Sequence, residues 1–112
     1  MVDVSDRHFR FFMRLLSKHM YVYTEMLNEH AILLSKKRHQ LMTFHPREHP
    51  IVCQLGGNDP DKMGMAAKIA EEYGYDEVNL NCGCPSTKTI QGCFGALLMY
   101  DPNQVAEITM AM

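Results

Sequence analysis

The stretch IVCQLGGNDPDKMGMAAKIAEEYGYDEVNLN, residues 51–81, decides the fold class because it contains a strand, a helix and a second strand. An apolar run opens it and two glycines end that run, as expected for a buried strand. Asp59-Pro60 then predicts a helix start, since proline loses no hydrogen bond at the first helical position. The predicted buried stripe is Met63, Ala66, Ala67 and Ala70. Val78–Asn81 predicts the next strand, so the two strands are parallel and joined by a right-handed crossover.

The same alternation of helix and strand extends towards the N-terminus. Ser5 predicts the N-cap of a first helix, with its basic residues largely opposite an apolar stripe. That stripe is Phe9, Phe12, Met13 and Leu16. Tyr21–Glu25 predicts a strand, because it is short and rich in aromatic and β-branched residues. Residues 28–38 form a weaker helical pattern, and a polar segment with two prolines then predicts a loop.

Towards the C-terminus the pattern predicts a loop over residues 82–100 and a last helix from Asp101-Pro102, with Gln104 completing a capping box. The predicted strands end at Glu25, Gln54 and Asn81, which are 29 and 27 residues apart. One βα unit of an eight-fold barrel of about 250 residues takes about 31, although a doubly wound sheet fits this spacing nearly as well.

We therefore expect an α/β protein, the N-terminal portion of a TIM (β/α)8 barrel with about three to four βα units. A barrel of that size is incomplete, because it leaves two open sheet edges and an unfilled interior. The chain also begins with a helix that has no preceding strand and ends within a helix. These features predict a fragment, cut at both ends, of a larger protein.

Composition excludes several other classes of protein. With 46% hydrophobic and 21% charged residues, the chain is neither a disordered tail nor a coiled coil, and it has no apolar run long enough to cross a membrane. Residues 1–50 carry eight Lys/Arg against five Asp/Glu, a bias that a solvated helix face explains more often than nucleic-acid binding does. The four cysteines lack zinc-site spacing, so we expect no metal and a reducing, cytoplasmic compartment.

Polar residues end all three predicted strands, where parallel α/β folds bind their ligands. These residues are Glu25, Gln54 and Asn81. Cys84 follows between Gly83, which permits a close backbone approach, and Pro85, which stiffens the following bond, so that its side chain can be directed. For Glu25 alone, the start of a loop is an equally good explanation. Strand alternation places Asn79 beside Asn81 on the face away from the helices and turns Cys82 towards them.

Four segments together resemble the tRNA-dihydrouridine synthases, and the nearest subclass modifies tRNA positions 20 and 20a. They are YTEM (23–26), VCQLGG (52–57), NLNCGCPS (79–86) and GCFGALLM (92–99), and MVDVSDRH (1–8) also resembles that family. The resemblance covers essentially the whole chain. The Cys-Pro core alone would be ambiguous, because dihydroorotate dehydrogenases carry a related pattern.

The resemblance implies an FMN-dependent barrel enzyme that reduces the uracil C5–C6 double bond in tRNA, with NADPH recharging the flavin. Cys84 would give the proton to C5, and Asn81 would contact both uracil and the flavin edge. Met1 and Gln54 would lie along the isoalloxazine ring, and Glu25 is a weaker candidate for the substrate cavity. Residues 1–112 would belong to the FMN-binding catalytic barrel, without its remaining part and without the helical tRNA-binding domain that follows.

Thr89 and Gln91 depart from the hydrophobic residue and the asparagine that are more usual in the family. The family's lysine, histidine and phosphate-binding glycine segments belong to the second half of the barrel, so we expect this chain alone to be inactive. Two alternatives stay open: another FMN-dependent barrel oxidoreductase, such as a dihydroorotate dehydrogenase relative, and a non-catalytic remnant that binds RNA or a partner through its first helix.

Overall fold

Six helices and four strand segments alternate along residues 1–112, all of which the computed structural model describes. The helices are α1 (Arg7–Leu16), α2 (Glu29–Leu34), α3 (Arg38–Met42), α4 (Pro60–Glu72), α5 (Thr87–Gln91) and α6 (Pro102–Ala111). The strands are β1 (Val22–Tyr23), β2 (Leu27–Asn28), β3 (Ile51–Gly56) and β4 (Glu77–Leu80). Two 3₁₀ helices cover Pro46–Glu48 and Gly95–Tyr100.

All strand pairs are parallel, and β3 lies at the centre of the sheet. Strand β4 lies along one edge of β3, and β1 and β2 lie one after the other along its opposite edge. This is an α/β architecture with a parallel sheet whose strands are neighbours in chain order, and it is compatible with part of a TIM barrel.

Strand β2 corrects the predicted end of the first strand. The edge strand does not end at Glu25: it is interrupted and then pairs again with β3 as far as Asn28. From Val22 to Leu27 the chain advances five residues while β3 advances four, so one extra residue bulges out. The Thr24 hydroxyl accepts the Gln54 N–H at 2.9 Å and so replaces a backbone acceptor at the interruption.

The hydrophobic core lies between β3 and a layer of helices. Ile51, Cys53 and Leu55 face this layer, where α4 packs against both α2 and α6. The prediction for α4 is confirmed: the Asp59 carboxylate caps it, and its four predicted stripe residues are the buried ones. The prediction that the Cys82 side chain points towards the helices is confirmed too, since Cys82 packs against this core.

The burial of the side chains of α1 is largely the opposite of the predicted one. Of the predicted apolar stripe only Met13 packs against the core, whereas Phe12 is 56% and Leu16 65% exposed. Arg10 and Arg14 are buried instead. Arg10 forms an ion pair with the fully buried Glu48, and Arg14 donates to the carbonyl oxygens of Glu48 and Pro50. These two arginines can be buried because they find these acceptors.

Other boundaries also differ from the predictions. The predicted weak helix over 28–38 contains α2 and only the first residue of α3, so most of α3 lies in the stretch predicted as a loop. The predicted loop over 82–100 contains α5 and a 3₁₀ helix. Asp6, not Ser5, caps α1. Gln104 forms no capping box, because its side-chain amide donates to the Asn58 carbonyl oxygen at 2.8 Å instead. None of the helices combines the length and the apolar character that a membrane span requires.

Candidate active site

A cleft of about 810 Å³ opens at the carboxyl ends of the strands. It brings together four of the predicted site residues: Met1, Gln54, Asn81 and Cys84. Met26, Asn28 and Phe94 line it as well, together with residues 86–89 at the start of α5. The expectation that the polar strand ends meet at one place is therefore met for β3 and β4.

Glu25 lies elsewhere, in a smaller cleft whose charged lining includes Arg7 and Lys37. Its carboxylate accepts the backbone N–H of Asp3. The bulge explains this position, because the strand continues past Glu25 and ends at Asn28. Sequence reasoning missed Asn28, whose only local signal is its side chain capping α2 through the His30 N–H.

The floor of the cleft carries a chain of side-chain amides. Gln54 Nε2 donates to Asn79 Oδ1 at 2.9 Å, and Asn81 Nδ2 donates to Gln54 Oε1 at 3.0 Å. Asn81 Oδ1 in turn accepts the backbone N–H groups of Cys84 at 2.9 Å and Gly83 at 3.2 Å. The predicted common face of Asn79 and Asn81 is confirmed. One N–H each of Gln54 and Asn81 remains available for a ligand.

The main chain of Cys84 is fixed on both sides. Its N–H is held by Asn81, and its carbonyl oxygen accepts the Thr89 hydroxyl at 2.8 Å and the Ala96 N–H at 3.0 Å. Gly95 has φ +67°, and a Cβ there would lie 2.6 Å from the Cys84 carbonyl oxygen. This is the glycine that the loop requires.

Gly83 does not have the role predicted for it. A Cβ built at this position would meet no atom within 4 Å, and its backbone is not in the left-handed region. No atom of this chain makes the close approach that Gly83 permits, and the constraint on Cys84 comes from the hydrogen bonds to its peptide groups.

The thiol of Cys84 differs electrostatically from those of Cys53 in β3 and of Cys82, which follows β4. The Ser86 backbone N–H, followed by the hydroxyls of Ser86 and Thr89, lowers the pKa of Cys84. Burial instead raises the pKa of Cys53 to about 12 and also raises the pKa of Cys82. Cys84 is the cysteine that lines the cleft, so it is the thiol placed to exchange a proton with a ligand there.

The cleft thus combines a proton-exchanging thiol with two amide N–H donors on a rigid floor. Amide donors of this kind suit the carbonyl oxygens of a flat heterocycle, and methionine side chains offer polarizable apolar contact to its ring. The family model for dihydrouridine synthase matches residues 1–112, which is the whole chain. The chain belongs to the dihydrouridine synthase family.

Curated relatives with similar sequences include several bacterial proteins. The chain is 48% identical to a tRNA-dihydrouridine(20/20a) synthase of Synechocystis sp., 50% to one of Xanthomonas axonopodis and 49% to one of Shewanella oneidensis. Each match covers all 112 residues of this chain and 33% of the relative. The chain therefore spans about a third of the length of these relatives.

Proposed function

We propose that the protein formed with this chain is a tRNA-dihydrouridine synthase, an oxidoreductase that reduces the uracil C5–C6 double bond of D-loop uridines in cytoplasmic tRNA. The observation that carries the proposal is the position of Cys84, a thiol of lowered pKa fixed at the carboxyl ends of the strands. Family membership and the names of the relatives support the same reaction.

FMN is the proposed cofactor, with NADPH as its reductant. The unused N–H groups of Gln54 and Asn81 fit the polar edge of an isoalloxazine ring, and Met1 and Met26 fit its flat face. When bound and reduced, FMN supplies the hydride that uracil C6 receives. The cleft residues of this chain therefore fit the ring of the cofactor.

Cys84 supplies the proton that C5 needs to complete the reduction. Its S–H bond breaks as the new C–H bond forms, and the thiolate then recovers a proton from solvent. A pKa below that of an ordinary thiol brings Cys84 closer to the working pH, which favours proton transfer. The uridine has to leave its base stack to reach the cleft.

We further propose that residues 1–112 form the first part of the FMN-binding barrel, and that further βα units of the same protein, followed by a helical tRNA-binding domain, complete the enzyme. The outer edges of β1, β2 and β4 have no strand partner, and the apolar side of α1 faces solvent. Further barrel strands and helices would cover both.

The isolated chain tests this second proposal. We expect it to associate on size-exclusion chromatography, to bind a hydrophobic dye, and to bind FMN only weakly, because its apolar surfaces and sheet edges are uncovered. A sharply melting monomer that excludes the dye, or one that binds FMN tightly and stoichiometrically, would contradict the proposal.

The reaction itself is tested in the complete protein with unmodified tRNA and NADPH. Cys84→Ala should slow dihydrouridine formation by about 10²–10⁴, the usual cost of losing a positioned general acid, while NADPH still reduces the flavin. Cys82→Ala and Cys93→Ala are the matched controls and should keep most of the activity. Parental turnover by Cys84→Ala, or loss of turnover in Cys93→Ala alone, would show that the proton donor is another group.

A further inference from the structure

Thr89 is the buried hydroxyl beside the candidate proton donor. Its side chain is fully buried in α5, and its Oγ1 lies 2.8 Å from the carbonyl oxygens of both Cys84 and Ser86. A threonine within a helix commonly bonds to a carbonyl three or four residues back, which accounts for the contact to Ser86. The Cys84 carbonyl is five residues back and lies outside α5, so the helix does not account for the second contact.

The surroundings of Thr89 leave this hydroxyl little freedom. A Cβ at Gly95 would lie 3.0 Å from Thr89 Cβ, so the loop carrying Gly95 packs closely against it. The backbone N–H of Thr89 donates to the Ser86 hydroxyl at 3.3 Å. The hydroxyl is therefore held beside the Cys84 peptide group by packing on one side and by the α5 cap on the other.

We propose that Thr89 is a positioning residue for Cys84, and that its hydroxyl fixes the Cys84 main chain so that the thiol stays beside the polar start of α5. This inference rests on the proposed role of Cys84 as proton donor. The effect of the same hydroxyl on the thiol agrees with it, because Ser86 and Thr89 both lower the pKa of Cys84.

The test measures the thiol itself and needs neither tRNA nor turnover. In the complete protein, iodoacetamide modification of Cys84 is followed by peptide mass spectrometry between pH 6 and pH 10. Thr89→Val, which removes the hydroxyl and keeps the shape, should move the titration midpoint upwards. Modification at neutral pH should then slow by about three- to tenfold, which corresponds to a shift of half to one pKa unit.

Two control variants separate positioning from stability. Thr89→Ser keeps the hydroxyl and should retain the parental titration. Thr109→Val removes a hydroxyl that makes the same kind of helix bonds, to Val105 and Ala106, but lies in α6 and should leave Cys84 unchanged. If valine is not tolerated, Thr89→Ala gives the same comparison without a branched side chain.

A parental titration in Thr89→Val, with or without a lower melting temperature, would overturn the proposal and leave Thr89 a purely structural residue. An altered titration in Thr89→Ser would overturn it as well. If the titration shifts as expected but Cys84→Ala remains fully active on tRNA, the positioning of Cys84 stands and the proposed function fails.

Discussion

Replacing Glu48 by glutamine perturbs the attachment of α1 to the sheet. The Glu48 side chain is fully buried, and each of its oxygens accepts from a different donor: Oε2 from Arg10 Nε at 2.6 Å, and Oε1 from the His45 N–H at 2.8 Å. A glutamine of the same shape has one oxygen and one NH₂ group. Whichever way its amide turns, the NH₂ group must face a donor.

The loss of stability expected for Glu48→Gln follows from the burial of its ion pair with Arg10. The Arg10 side chain is only 7% exposed, so Glu48→Gln leaves a guanidinium without its counter-charge away from water, which costs about 3–5 kcal/mol. The matched control is Lys62→Gln, which breaks the pair with Asp59, where the side chains are 43% and 36% exposed. Because that pair is exposed to water, breaking it should cost far less stability.

Hydrogen exchange and thermal unfolding of the complete protein measure the two variants. Because Arg10 and Arg14 make the buried polar contacts of α1 with the rest of the chain, the loss should concentrate in Arg7–Leu16. Amides in that helix should exchange about 10²–10⁴ times faster in Glu48→Gln, since each 1.36 kcal/mol is tenfold. Equal exchange in Glu48→Gln and Lys62→Gln would refute this account of the ion pair.

Three further predictions concern stability and are checked by melting temperature. Burial acts to raise the pKa of Asp76, but hydrogen bonds from a backbone N–H and a histidine ring outweigh it and lower this pKa. The stabilisation is fully present above about pH 4 and is lost as the pH falls through the lowered pKa of the folded state, so the difference between Asp76→Asn and the parent should be largest at pH 7 and shrink as the pH falls below 4. Gly64→Ala should destabilise despite better helix propensity, because its Cβ would lie 2.7 Å from the Ala111 carbonyl oxygen. Gly95→Ala, at φ +67°, should destabilise more than Gly83→Ala, which meets open space.

The unit β3–α4–β4 could be predicted from the sequence because each of its signals is local. The Asp59 carboxylate accepts the Lys62 N–H three residues later, and Pro60 sits at the first helical position. Gly74 takes the left-handed conformation, φ +85°, just after the helix. No distant part of the chain has to be known to place these features.

The orientation of α1 could not be predicted, because it depends on a residue far away in the sequence. An apolar stripe normally faces the core, and nothing near Arg10 indicates that Glu48 will be buried opposite it. The same applies to the first strand. One inserted residue between Val22 and Leu27 moved the end of the strand to Asn28, and no composition signal marks such a bulge.

The residues of the candidate site could be predicted largely where the ends of the strands could be predicted. Asn81 and Cys84 lie in the cleft because they follow the end of β4, as predicted. Gln54 lies there too, although β3 continues past it to Gly56. Glu25 lies outside it because its strand does not end there. The roles assigned to the cleft residues in catalysis stay predictions, which the cysteine and threonine variants test.

The direction of the amide chain follows from one backbone group and determines what the cleft can bind. A backbone N–H can only donate, so Cys84 requires the oxygen of Asn81 to face it. Asn81 must then present its nitrogen to Gln54, and Gln54 must present its nitrogen to Asn79. As a consequence, Gln54 and Asn81 each keep one side-chain N–H that this chain of hydrogen bonds does not use. A site that offers donors beside a thiol suits a ligand with ring carbonyl oxygens, and uracil and the isoalloxazine ring both have them.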